Sequence, residues 1–120
     1  MRDERRKHPR IASAWLVSYA DYDQERVLKS LGVGKTVDVS EGGVQVICSE
    51  AFHVPTELEL DVALGDDLLR VKGRVVYAQE VAPGKYSMGI RFLDLPPAAT
   101  EKLREFVAKK LAKRRFATPS

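Results

Sequence analysis

Residues 57–64 alternate between polar and apolar side chains, and this alternation restricts the folds open to the chain. The apolar members stand at every second position: Leu58, Leu60, Val62 and Leu64. A period of two places successive side chains on opposite faces of a β-strand, so the segment predicts a strand buried on one face. The intervening acidic residues, Glu57, Glu59 and Asp61, form an ordinary solvent-facing stripe.

Five further segments show strand-like patterns. They are residues 11–19, 37–39, 44–48, 69–77 and 86–92. Turn sequences rich in glycine, proline or aspartate lie at 40–43, 65–67 and 82–84. Six strands joined mostly by short connections predict a mainly β protein with a six-stranded antiparallel barrel, closed or nearly closed. The sequence shows no alternation of strands with helices, which argues against a parallel sheet.

The alternation also predicts which side chains point inward. Trp15, Val17 and Tyr19 share one face of the first strand, and Val37 and Val39 share the inner face of the second. Tyr77 continues the inward set of residues 71–75, which makes it a predicted core residue. Cys48 is interpreted as a small buried hydrophobic residue.

One amphipathic helix is predicted at about 97–115, where apolar side chains recur at helical spacing: Leu103, Phe106, Val107 and Leu111. We expect it to pack across one mouth of the barrel. Residues 11–116 form the predicted domain, 1–10 a flexible loop and 117–120 a tail. Residues 21–34 fit either a short helix or a continuing strand, and the sequence leaves both open.

Composition excludes several classes of protein. The 120 residues include one cysteine, so no internal disulfide can form, which favours a reducing compartment. There is no apolar run long enough to span a membrane, and the charged first ten residues do not resemble a signal peptide. We therefore expect a cytoplasmic, single-domain protein.

The charge is distributed unevenly along the chain. The net charge of +3 is the sum of +3 in residues 1–10, −5 in residues 11–100 and +5 in residues 101–120. Two basic ends on an acidic body suggest contacts with anions or with a partner, although charged ends also simply keep small domains soluble.

Two short motifs carry the functional argument. The first is the basic run at 5–10, in which Arg6 and Arg10 are spaced as R-x-x-x-R. The second is Asp38, Ser40 and Gly43, spaced as D-x-S-x-x-G in the turn between the second and third predicted strands. Each motif alone is weak, but their order on a six-stranded body with a C-terminal helix is much more specific.

With these motifs the sequence resembles the PilZ domain family, and the likeness extends from about residue 4 to 112. The segment 89–94 also resembles the family's last strand. The resemblance implies a small six-stranded barrel that binds the bacterial second messenger cyclic di-GMP without catalysis. It further implies that ligand binding orders the N-terminal loop and creates a surface for an effector protein, in the manner of a stand-alone adaptor.

The residue types suit this ligand. A guanidinium group can engage guanine O6 and N7 or phosphodiester oxygens with two parallel hydrogen bonds, which fits Arg6 and Arg10. The Asp38 carboxylate accepts hydrogen bonds from the N–H groups on guanine's other edge, and Ser40 can donate or accept beside it. Gly42 and Gly43 permit positive φ and close approach of a ligand to the backbone.

Two residues are secondary candidates. Arg5 precedes R-x-x-x-R, a position that in some family members accompanies a stacked pair of nucleotides, so two ligands per protomer are expected; alternatively, Arg5 is one more solvated charge. Tyr77 stands where some relatives place an aromatic side chain near the base, although the core position is the favoured interpretation.

Other functions fit less well. A nucleic-acid-binding domain would use the basic ends, but the body is acidic and shows no exposed run of aromatic and basic residues. A protein-interaction scaffold without nucleotide binding stays open, as does a monomeric or weakly dimeric state. No catalytic residue or metal site is predicted, because His8 and His53 lack metal-ligand spacing with Cys48 and Ser40 lacks a catalytic elbow.

Overall fold

A computed structural model describes the backbone of residues 11–12 and 15–117 and the side chains of residues 15–112. In chain order the elements are β1 (Ile11–Ala12), β2 (Leu16–Tyr22), β3 (Leu28–Val39), β4 (Gly43–Cys48), β5 (Thr56–Leu64), β6 (Asp67–Ala82), β7 (Lys85–Leu93) and α1 (Pro97–Ala117).

The strands form one antiparallel sheet that closes on itself. Its order is β1-β3-β2-β5-β6-β7-β4, and β4 also pairs with β3, which completes a barrel of the six strands β2 to β7. The two residues of β1 lie beside the end of β3. The predicted six-stranded antiparallel barrel with one C-terminal helix is confirmed.

The barrel core consists of the alternating side chains that the strand patterns predict. The most deeply buried large residues include Leu58, Leu60, Val17, Val46 and Val75. The outward acidic stripe of β5 is held by arginines at 2.9 Å: Arg74 on Glu57, Arg26 on Glu59 and Arg70 on Asp61.

Val37 and Trp15, two of the residues predicted to point inward, lie at the surface. A register irregularity between Thr36 and Asp38 shifts the alternation, so Thr36 is buried and Val37 is exposed. Thr36 takes the inner position because its hydroxyl hydrogen-bonds both backbone groups of Trp15. Trp15 itself precedes β2 and is 38% exposed, with the Lys110 ammonium 5.7 Å from its ring centroid.

Residues 21–34 form a strand hairpin and not a helix. β2 ends at Tyr22 and β3 begins at Leu28, and Asp23 organises the turn between them. The Asp23 carboxylate accepts hydrogen bonds from the amides of Glu25 and Val27 at 2.8 and 2.9 Å. These bonds fix the turn, in which Arg26 has a φ of 64°.

The helix packs one face against the barrel and contacts β1 and β6. Ala99, Leu103 and Val107 are buried and recur every four residues, which is the spacing of one helical face. Leu111, predicted on the same face, is 37% exposed. Within the described residues, no helix combines the length and apolar character needed to cross a membrane.

A buried tyrosine joins β2 to the segment after β4. The Tyr19 hydroxyl donates to the Glu50 carboxylate at 2.9 Å, and Ser30 donates to the other carboxylate oxygen at 2.6 Å. Burial, and then the hydrogen bond to Glu50, raise the pKa of Tyr19 well above its ordinary value of 10.0. Cys48 is buried, as predicted.

Candidate functional site

The turn between β3 and β4 carries the second motif and is tightly bonded within itself. The Ser40 amide donates to the Gly43 carbonyl oxygen at 2.9 Å, and Ser40 Oγ accepts from the Gly42 amide at 3.1 Å. The Ser40 side chain therefore stabilises the turn and is buried. Its hydroxyl hydrogen can still donate to a ligand.

Gly43 is constrained by the neighbouring strand. It is the first residue of β4 and lies opposite Arg91 of β7. A Cβ atom at this position would collide with the Ile90 carbonyl oxygen. The glycines recorded with positive φ are Gly65 and Gly84. The positive φ predicted for Gly43 is thus wrong, and the close passage of the β7 backbone gives a structural reason for a glycine at this position.

The same turn is tied to two other elements. The Phe92 amide of β7 donates to the Gly42 carbonyl oxygen at 2.9 Å. Arg104 of α1 lies 3.5 Å from Glu41 and 3.6 Å from Glu101. A displacement of the turn would therefore disturb its bonds to both the last strand and the C-terminal helix.

One row of residues crosses the outer face of the barrel from this turn. Asp38 lies opposite Gln45, Gln45 opposite Gly89, and Gly89 opposite Tyr77, on β3, β4, β7 and β6. Paired residues project to the same face of a sheet. Three inter-strand spacings, about 14 Å, separate the carboxylate end of this row from its aromatic end.

Tyr77 lies at the aromatic end of the row, and its prediction as a core residue is wrong. A register irregularity between Val75 and Tyr77 turns it outward, and it is 42% exposed. Its ring lies against Gly89, so closely that a Cβ atom at Gly89 would collide with it. The arrangement places a flat aromatic surface on the outside of the barrel.

Arg91 is a candidate that the sequence analysis missed. It stands two residues after Gly89 on the same outward face of β7, opposite Gly43. It is exposed and forms no ion pair with another described residue, whereas Arg74 beside it is bonded to Glu57. The outward set of β7 was visible in the sequence, but its position beside the motif turn depends on the β4–β7 pairing.

Comparison with known protein families gives one decisive match. The family model for the PilZ domain matches residues 4–109. The chain belongs to the PilZ domain family.

Solved PilZ structures have the same fold. The PilZ domain of YcgR from Escherichia coli, solved with cyclic di-GMP, superimposes with a TM-score of 0.70 at 16% identity, covering 92% of this chain and 95% of that one. The PilZ domain of CeSA from a cellulose-synthesizing bacterium gives 0.60 at 18% identity, covering 88% and 98%.

The inhibitor of motility MotI/DgrA from Bacillus subtilis gives a TM-score of 0.75 at 16% identity. The match covers 92% of this chain but 53% of that one, so this chain spans about half the length of that relative. No curated protein is similar enough in sequence to be matched.

The first described residues of this PilZ domain lie beside the second motif. Ile11, which follows Arg10 in the sequence, pairs with Val39, which follows Asp38. The chain thus enters the barrel directly beside the D-x-S-x-x-G turn. The predicted ligand residues Arg5, Arg6 and Arg10 themselves lie outside the described residues.

Proposed function

We propose that this PilZ domain binds cyclic di-GMP on the outer face of the barrel that carries Asp38, Gln45, Gly89 and Tyr77. The observation that carries the proposal is the β1–β3 pairing. It sets the residue after Arg10 beside the residue after Asp38, which supports a common surface for the two motifs. Relatives solved with the same nucleotide support the choice of ligand.

The chemistry of this surface suits a guanine nucleotide. Asp38 accepts hydrogen bonds from guanine N–H groups, and the Ser40 hydroxyl donates beside it. Arg6 and Arg10 bind phosphate or the O6/N7 edge of a base, and the exposed Arg91 adds a phosphate contact. The Tyr77 ring offers a face on which a base stacks.

Binding would act as a switch. The basic residues at 5–10 would be drawn onto the barrel by the ligand, which creates a surface that an effector protein can prefer. The motif turn is bonded to β7 and to α1, so a change in the turn on ligand binding would also change the surfaces formed by these two elements. The domain would then be a cytoplasmic, non-enzymatic receptor, monomeric or weakly dimeric, with two stacked nucleotides per protomer if Arg5 contacts the second.

Isothermal titration with cyclic di-GMP tests this proposal, with GTP and cyclic di-AMP as ligand controls. We expect selective binding of cyclic di-GMP that is lost in Arg6→Ala, Arg10→Ala and Asp38→Ala but kept in Asp61→Ala, a matched carboxylate on β5. A ratio of two that falls to one in Arg5→Ala would assign the second ligand to Arg5. Absence of binding by the folded protein would refute the receptor function and favour a protein-interaction scaffold.

A further inference from the structure

A second surface of the barrel exposes a cluster of apolar side chains. Leu16 is 58%, Leu31 69% and Val33 60% exposed, and Ile47 is half-buried beside them. We call these four residues the apolar face. Isolated exposed apolar residues are ordinary, but adjoining ones on a small domain mark an interaction site.

The strand register shows that the apolar face is arranged around one charged residue, Lys35. Lys35 lies between Leu16 of β2 and Ile47 of β4, directly opposite both. Leu31, Val33 and Lys35 follow one another on the outer side of β3, because side chains two apart project to the same face. The cluster therefore spans three neighbouring strands.

This surface also includes a wide, open depression. A cavity of about 410 Å³ has Leu16, Val33 and Ile47 among its lining residues, with Lys35 and Lys85 beside them. Such a cavity accommodates the apolar side chains of a bound segment, while the two ammonium groups meet its polar side.

Two lysines lie at this cavity, and neither Lys35 nor Lys85 forms an ion pair with another described residue. Elsewhere on the barrel, Arg26, Arg70 and Arg74 each lie 2.9 Å from a carboxylate. Complementary charge determines which partners a surface accepts, so two unpaired cations beside an apolar floor select an acidic partner.

Other occupants fit this charge less well. Both ends of the chain are basic, with +3 in residues 1–10 and +5 in residues 101–120, so the lysines would repel them. A second copy bound through the same face about a twofold axis would bring the lysines of both copies into one interface, where their like charges would repel.

We propose that the apolar face binds an acidic amphipathic segment of a partner protein. Apolar side chains of the segment enter the cavity between Leu16, Val33 and Ile47, and its carboxylates pair with Lys35 and Lys85. The interaction requires no nucleotide, so it stands whether or not the domain binds cyclic di-GMP.

A random peptide library displayed on phage tests the proposal, with the full chain immobilised without nucleotide. We expect enriched peptides that combine leucine, isoleucine or phenylalanine with aspartate or glutamate. A fluorescein-labelled synthetic copy of the enriched peptide should bind the wild type. Its affinity should fall at least tenfold on Leu16→Asp and on Lys35→Glu/Lys85→Glu.

Leu68→Asp is the matched control, because Leu68 is a 53% exposed leucine on β6, outside the apolar face. It should leave the peptide affinity unchanged, and circular dichroism should show that all variants are folded. Enrichment of basic or uncharged peptides, or equal binding to Leu16→Asp, would overturn the proposal. A wild-type dimer in light scattering that Leu16→Asp dissociates would also overturn it and assign the face to self-association.

Discussion

Replacing Gly43 by alanine separates two explanations for the glycine of the D-x-S-x-x-G motif. If the glycine exists for the fold, Gly43→Ala destabilises the domain with or without ligand. The structure supports this explanation, since the added Cβ would meet the Ile90 carbonyl oxygen and lie 3.2 Å from Arg91 Cα.

The magnitude follows from what must move. Ile90 is paired with Val44 on one side and Val75 on the other, so its carbonyl cannot shift alone. Overpacking against well-packed neighbours costs about 1–3 kcal/mol, and each ladder hydrogen bond that is lost adds about 1 kcal/mol. We expect the free energy of unfolding to fall by about 2–4 kcal/mol, a large part of the stability of a small domain.

Urea unfolding followed by circular dichroism measures this change. With a slope of about 2 kcal/mol/M, the midpoint should fall by about 1–2 M. Gly65→Ala is the control, because Gly65 has a φ of 65° and open space around it, so it tests backbone strain without a collision. It should cost about 1–2 kcal/mol. A Gly43→Ala protein with the wild-type urea midpoint but no cyclic di-GMP binding would refute this argument and show that the glycine is required for ligand binding.

Three further predictions concern tyrosines. Tyr77→Ala should weaken cyclic di-GMP binding by about 1–3 kcal/mol in isothermal titration, whereas Tyr77→Phe should keep the wild-type affinity, because stacking needs only the ring. An equal loss of affinity in both variants would contradict stacking. Tyr19→Phe should lower the free energy of unfolding in urea by about 1–2 kcal/mol, because Glu50 loses a donor; Tyr22→Phe is the control, and equal stability of both would show that the bond contributes nothing. The pKa of Tyr19 in the folded protein lies above the ordinary 10.0, so the stabilisation of the fold by the protonated Tyr19 hydroxyl is complete below pH 10 and is lost as the pH rises further. In urea unfolding at alkaline pH, the free energy of unfolding should therefore fall more steeply with pH for the wild type than for Tyr19→Phe. Parallel curves would argue against the raised pKa.

The sequence predicted the barrel because most of its strands keep strict alternation, as in residues 57–64. It failed where a strand changes register. One irregularity exposes Val37 and buries Thr36, and another turns Tyr77 outward. An extra residue in one strand reverses the faces that follow, and nothing in the local pattern reveals it, because the compensation comes from the neighbouring strand.

The candidate site shows the same limit. Asp38 and Ser40 were predicted as ligand residues from their spacing in the motif together with the resemblance to the PilZ family, and this role stays a prediction. The reason for Gly43 and the position of Arg91 depend on the pairing of Gly43 with Arg91 of β7, which lies more than forty residues later in the chain. Long-range pairing of this kind is settled by the packing of the whole barrel, so a pattern read along one strand does not contain it.

The closed sheet also determines how this domain can be recognised. Each of the strands β2 to β7 has a hydrogen-bonded neighbour on both sides. Where a strand is flanked by two neighbours, its backbone N–H and C=O groups are already paired, so a visiting chain cannot add a strand at those positions. Recognition there acts through outward side chains, which can be exchanged one at a time without disturbing the inward set. A barrel of this kind can acquire a new partner through a few surface substitutions while its fold stays the same.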